Sequence, residues 1–450
     1  MSSPDARGNP CSSRSAAAHA AVEQALWRMM SFYDTPVADL DSASAHDPAW
    51  CFPHAMKAGF LWSLTEPSLH DTASAHLADA QALGNNATPR EKAHLHALVQ
   101  VQEGRWTAAC RSWDELLLDH PRDALALQWA QSFDFFRGDS GGLRSRPARV
   151  LPEWDEDDPL YPHVLGHHAF GLEEANLYPQ AEEAGRRALA LDPGSPWAVH
   201  AVAHVMDMQG RFDEGAAWLR LHQPQWAAGN GFAAHLWWHK GLFRLEGMDL
   251  AGAQRLIDNH LSGANLLITL QRLDAASLLW RLHLLGQDVS TPCAALVADW
   301  DLSAPAAGYY AFNDVHVVMA LLGSADVAQA ERWLARCAER AMTATDARRS
   351  NHAMAREVGL PLMRGLVAFA RGDADTAAEL LFPLRSVARA LGGSHAQRDL
   401  IDQTLLAAAA QGNRRSMGHA LLNERCMAKP QTPLTRFWMD TLRDDGAARA

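Results

Sequence analysis

The sequence predicts an all-α chain built as a solenoid of helix pairs. Three observations carry that expectation. A short turn followed by a small-residue helix recurs along the chain, and its copies are spaced by about one helical hairpin. Alternating Val/Ile/Thr runs of the kind that mark strands are absent. Ala and Leu, both good helix formers, dominate instead.

The turn element reads Gly104-Arg105-Trp106-Thr107-Ala108-Ala109 at its first clear appearance. It returns as Asn176-Leu177-Tyr178-Pro179-Gln180-Ala181, Gly210-Arg211-Phe212-Asp213-Glu214-Gly215 and Gly247-Met248-Asp249-Leu250-Ala251-Gly252. Two later copies begin at Ser324 and Gly372. Gly or a small residue closes the first helix of a pair in a left-handed conformation. Ala or Gly on the second helix lets the two backbones approach closely. From residue 176 to 210 to 247 the steps are 34 and 37 residues, against a tetratricopeptide period of about 34. The expected fold is a right-handed superhelical solenoid of degenerate tetratricopeptide-like helix pairs.

The expected boundaries are a disordered, Ser-, Gly- and Pro-rich tail over 1–18, one repeat domain over 19–440, and a frayed tail over 441–450. Stretches 138–158 and 222–231 read as longer loops, the kind that shape binding sites. Gly392-Gly393 reads as a helix stop, with Ser394 as the next N-cap.

The formal net charge of -12 repels phosphate backbones, so nucleic acid is not an expected partner. No run of 18 or more apolar residues occurs, so no membrane span is expected. No signal-peptide pattern is apparent. The six cysteines are scattered without a CxxC pair, which suits reduced, buried thiols and a cytoplasmic location.

Chemistry-bearing residues fall on the first helix of successive pairs. His200 and His204 are four apart and share a helix face; so do His235 and His239, one repeat of 35 residues later. In register, four imidazoles could hold a zinc-like divalent metal. They could equally line a metal-free pocket using His as acid or base, or serve as plain structural hydrogen-bonding groups. The HExxH protease pattern is absent. Glu174, Trp238, Asn313, Asp314, His316, Arg356 and Glu357 are further candidates for the same groove. Asn313 and His316 share a face, whereas Asp314 points about 100° away. Arg356 and Glu357 also fit a structural ion pair.

Several stretches together resemble a bacterial member of the tetratricopeptide repeat protein 38 family. They include Trp197-Ala198-Val199-His200-Ala201-Val202-Ala203-His204, His235-Leu236-Trp237-Trp238-His239, Phe312-Asn313-Asp314-Val315-His316 and Ala355-Arg356-Glu357-Val358-Gly359. The resemblance runs over about 45–435 and implies a helical-repeat fold without a settled reaction. It also places His200, His204, His235, His239, Asn313, Asp314, His316, Arg356 and Glu357 in the family pattern. The expected function is a His-rich polar pocket on a concave face that takes a small molecule or peptide. A hydrolase or lyase using that pocket, and a pure protein-interaction scaffold, are the alternatives.

Overall fold

In a computed structural model, residues 3–303, 305–430 and 432–443 are described. Among them the chain is helical almost throughout, with one short hairpin pairing Ser3–Pro4 and Pro10–Cys11. Helices come in tetratricopeptide-like antiparallel pairs. Tyr161–Glu173 packs on Tyr178–Leu191, Pro196–Met208 is followed by Phe212–Trp226, and Ala233–Glu246 by Leu250–His260. First helices begin at 161, 196 and 233, close to the repeat step read from the sequence.

All six turn elements close in the same way. The backbone N–H after the turn donates to a carbonyl five residues back: Arg105 to Gln100, Leu177 to Leu172, Arg211 to Met206, Asp249 to Arg244, Asp326 to Leu321 and Asp373 to Ala368. That bond is the signature of the Schellman cap, which needs a left-handed residue. Gly104, Gly210 and Gly372 supply it as expected, and Asn176 supplies it at φ 61°. At the other two turns the left-handed residue is Met248 or Ala325, one position beyond the expected one. Asp249, Asp326 and Asp373 then cap the next helix through their side chains, so one residue ends a cap and starts a helix.

The chain divides into two compact units. The first comprises 1–202, 222–233 and 348–350; the second comprises 203–221, 234–347 and 351–450.

Three expectations are corrected. The N-terminal segment from residue 3 is not a disordered tail. Arg7 is buried and pairs with Glu23 at 2.5 Å, Asn9 reaches the Arg122 carbonyl, and Ser15 caps a helix starting at Ala16. Composition suggested disorder because polar residues dominate, but their partners lie far along the chain. Within 138–158, Ser140–Val150 is a helix capped by Asp139, not a loop. Similarly, the helix Phe212–Trp226 takes up the first half of the 222–231 stretch.

The expected stop at Gly392-Gly393 holds, with φ of 88° and 75°, and Ser394 caps the next helix in a capping box with Gln397. The expected C-terminal tail lies outside the described residues from 444 onward. Five cysteines are buried, Cys426 is half-buried, and all are free thiols. No helix among the described residues is long and apolar enough to cross a membrane.

Candidate metal centre

The helix Pro196–Met208 is buried on all sides through its middle, with Ala201, Val202 and Ala203 fully covered. Small side chains there allow close packing, and the same helix carries His200 and His204. In the first unit His200 packs among aromatic rings: Phe170 at 5.2 Å, Trp197 at 5.3 Å and Phe232 at 4.9 Å between centroids.

In the second unit His204, His235 and His239 come together. Ring centroids of His204 and His239 lie 4.4 Å apart, and those of His235 and His239 4.9 Å, both pairs edge-on. Each of the three offers a nitrogen within 4.8 Å of the others. His204 and His239 are fully buried. Burial, reinforced by neighbouring positive groups, holds both imidazoles well below the ordinary histidine range, so they stay neutral.

The next helix, Thr269–Leu284, orients this cluster. Both carboxylate oxygens of Asp274 lie 3.0 Å from His235 Nδ1. With the proton held on Nδ1, the lone pair sits on Nε2, the arrangement found behind many metal-binding histidines. Ser277 accepts from Trp238 Nε1 at 2.7 Å, and Trp238 stacks on His235 at 5.1 Å. Arg281 lies over the Trp238 ring and donates to the Ser277 and Ala396 carbonyls. The sequence carried a signal for Asp274 and Ser277: each stands 39 residues after its partner, close to a repeat step.

A buried charged network lies further along the same helices. Lys429 donates to Asp207 at 2.7 Å and Glu246 at 3.2 Å. Arg425 bridges Glu246 and Asp399 at 2.7 Å each, and Thr432 donates to Glu246. Burial alone would raise Glu246, and Lys429 and Arg425 outweigh it. A cavity of about 20 Å³ between these groups has room for a single water. None of the network was singled out from sequence, because Lys429 meets Asp207 across 222 residues of chain.

The remaining candidates separate. His316 donates from Nδ1 to its own helix at Phe312, and burial pushes it down to about 4 with help from the Arg281 charge. Asn313 shares that helix and is buried. Asp314 faces elsewhere, accepting from the Gly308 N–H, and burial raises it to about 6. Arg356 donates to the carbonyls of Ala341, Met342 and Ala344, capping the end of the helix Val327–Thr343. It is therefore neither in the cluster nor in the ion pair expected, and Glu357 is exposed. Glu174 lies buried in the first unit, at the end of the helix Tyr161–Glu173.

No protein-family model matches the chain. Among solved structures it is similar to a tetratricopeptide repeat protein from Parabacteroides merdae ATCC 43184, at 13% identity over 65% of this chain and 99% of that one, TM-score 0.35. It is also similar to yeast Tom70, at 12% identity over 95% of this chain and 86% of that one, TM-score 0.33. A third is the APC/C hetero-tetramer Cut9–Hcn1, at 11% identity over 95% of each chain, TM-score 0.30. Likeness at this level carries no argument about the site, which rests on its own geometry.

Proposed function

We propose that this helical-repeat protein holds a divalent metal ion, of the zinc type, on His204, His235 and His239. The observation that carries the reading is the convergence of three imidazoles, with Asp274 behind His235. Nitrogens around one zinc lie at most about 4 Å apart, twice a Zn–N bond of about 2.0–2.1 Å. The separations here are within a side-chain adjustment of that value. Imidazole suits zinc, copper and nickel better than calcium or magnesium.

The charge around the cluster is mixed: Asp274 lies against His235, whereas Lys429 adds positive charge at both His204 and His239, with Arg398 at the first and Arg281 at the second. Two ligands on one helix and one on its neighbour would tie the pair together. Three imidazoles also leave a coordination position for water, whose activation a zinc ion supplies when bound. His204, His235 and His239 lie within the pattern by which the chain resembles the tetratricopeptide repeat protein 38 family.

The test is a chelator competition on the full chain, following release of metal with a colorimetric zinc indicator. The reading expects stoichiometric release from the parent and loss of that equivalent in His204→Gln/His239→Gln. Equal release from both proteins, or none from either, would leave a metal-free buried cluster in a repeat scaffold.

A further inference from the structure

A second group of ligand-type side chains lies in the first unit, on the paired helices Phe52–Ser63 and His70–Leu83. His76 and Asp79 stand three apart and share a face of the second helix. His54, in the first turn of the other helix, brings its Nδ1 to 3.8 Å from an Asp79 oxygen. The His54 and His76 rings are 6.2 Å apart, and one ligand atom from each of the three residues lies within 4.8 Å of the others. We propose that His54, His76 and Asp79 form a separate, solvent-accessible site for a transition-metal ion of the zinc, nickel or copper class.

Several features point that way. Neither His54 Nδ1 nor His76 Nδ1 has a hydrogen-bond partner among the described residues, although both atoms are covered. A covered imidazole nitrogen without a partner carries an unmet desolvation cost that a metal bond removes. Burial first, then the Lys57 charge, lowers both histidines, which keeps them neutral ligands at physiological pH. Lys57 does not block a cation, because Asp41 pairs with it directly. Asp79 remains as the unneutralised charge of the patch, and its side chain is 62% exposed. Two imidazoles and one carboxylate leave the outer coordination positions to water or to a ligand arriving from solvent. The site differs from the buried cluster in this access, and it stands whether or not that cluster holds metal.

Zinc titration calorimetry of chelator-stripped full chain tests the proposal, comparing the parent with His54→Ala/His76→Ala. The buried cluster is present in both proteins, so the difference isolates this site. The parent is expected to show a binding event that the variant lacks or makes at least about 100-fold weaker, since even outer-shell substitutions cost about 10–100-fold. Asp79→Asn, which removes only the exposed charge, is expected to weaken the same event. Binding should also fade as pH falls and the imidazoles take up protons, below the ordinary histidine range. Superimposable isotherms for the parent and the double variant overturn the proposal, provided circular dichroism shows both folded. If the double variant does not fold, an unchanged isotherm for Asp79→Asn overturns it.

Discussion

Asp274 decides which nitrogen of His235 carries the proton, so its loss should act on metal affinity more than on folding. Asp274→Asn keeps the shape and removes the charge. Chelator competition should read an affinity about 10–100-fold lower, with the thermal midpoint of stripped protein little changed. An unaltered affinity would place Asp274 outside the site. Lys429 gives the opposite case. It is buried between Asp207 and Glu246, and Lys429→Ala takes away the cation bonded to Asp207, while Glu246 keeps Arg425. Urea denaturation should show a loss of about 3–5 kcal/mol, the cost of breaking a buried pair from one side. At this scale the histidines were legible, because an i,i+4 pair repeated after 35 residues leaves little freedom in where the side chains point. Arg356 was misread because a guanidinium donates to carbonyls as readily as to carboxylates, and only the helix end beside it decides which. Lys429 was invisible because its partners are set by tertiary packing.

The turn elements show how much of the fold is local. Their small residues, their spacing and the aspartates beyond them were readable, and each of the six closes with the same bond. What was not readable is that Met248 and Ala325, rather than Gly247 and Ser324, take the left-handed conformation. A side chain there costs about 1–2 kcal/mol, of which glycine would recover part after its own entropic cost. Ala325 is exposed, so its methyl group contributes little packing. Ala325→Gly should therefore stabilise the protein by about 0.5–1 kcal/mol, read as a higher urea midpoint at unchanged slope. Destabilisation would mean that the turn is not strained. The segments that sequence misplaced, residues 3–15 and 140–150, share a cause. Both are polar or glycine-rich, and both are ordered by ion pairs to distant residues, such as Arg7 with Glu23 and Arg146 with Asp114.

Across the chain, buried neutral histidines make stability depend on pH. Burial pushes His163 down to about 4 and His167 to about 3 in the first unit. In the second it lowers His316 to about 4 and His204 and His239 well below the ordinary range. The unfolded chain takes up these protons near pH 6.5, whereas the folded chain does so only at lower pH. The stability they contribute is therefore present above about pH 6.5 and lost as pH falls toward their folded values. Asp314, raised to about 6, acts in the opposite sense between about pH 6 and 4, as do Asp134, Asp207 and Asp402, which burial also raises, whereas the lowered Asp123, Glu246 and Asp399 act with the histidines. Thermal unfolding should show the midpoint falling between about pH 7 and 5, and a flat midpoint would mean that these histidines are solvated.

The most direct test of the central claim is the metal content of untagged protein purified without chelator, beside His204→Gln/His239→Gln prepared the same way. The account predicts a stoichiometric zinc-type ion in the parent that the variant lacks, with circular dichroism showing both folded. The same metal content in the two proteins, or none in the parent, would contradict it.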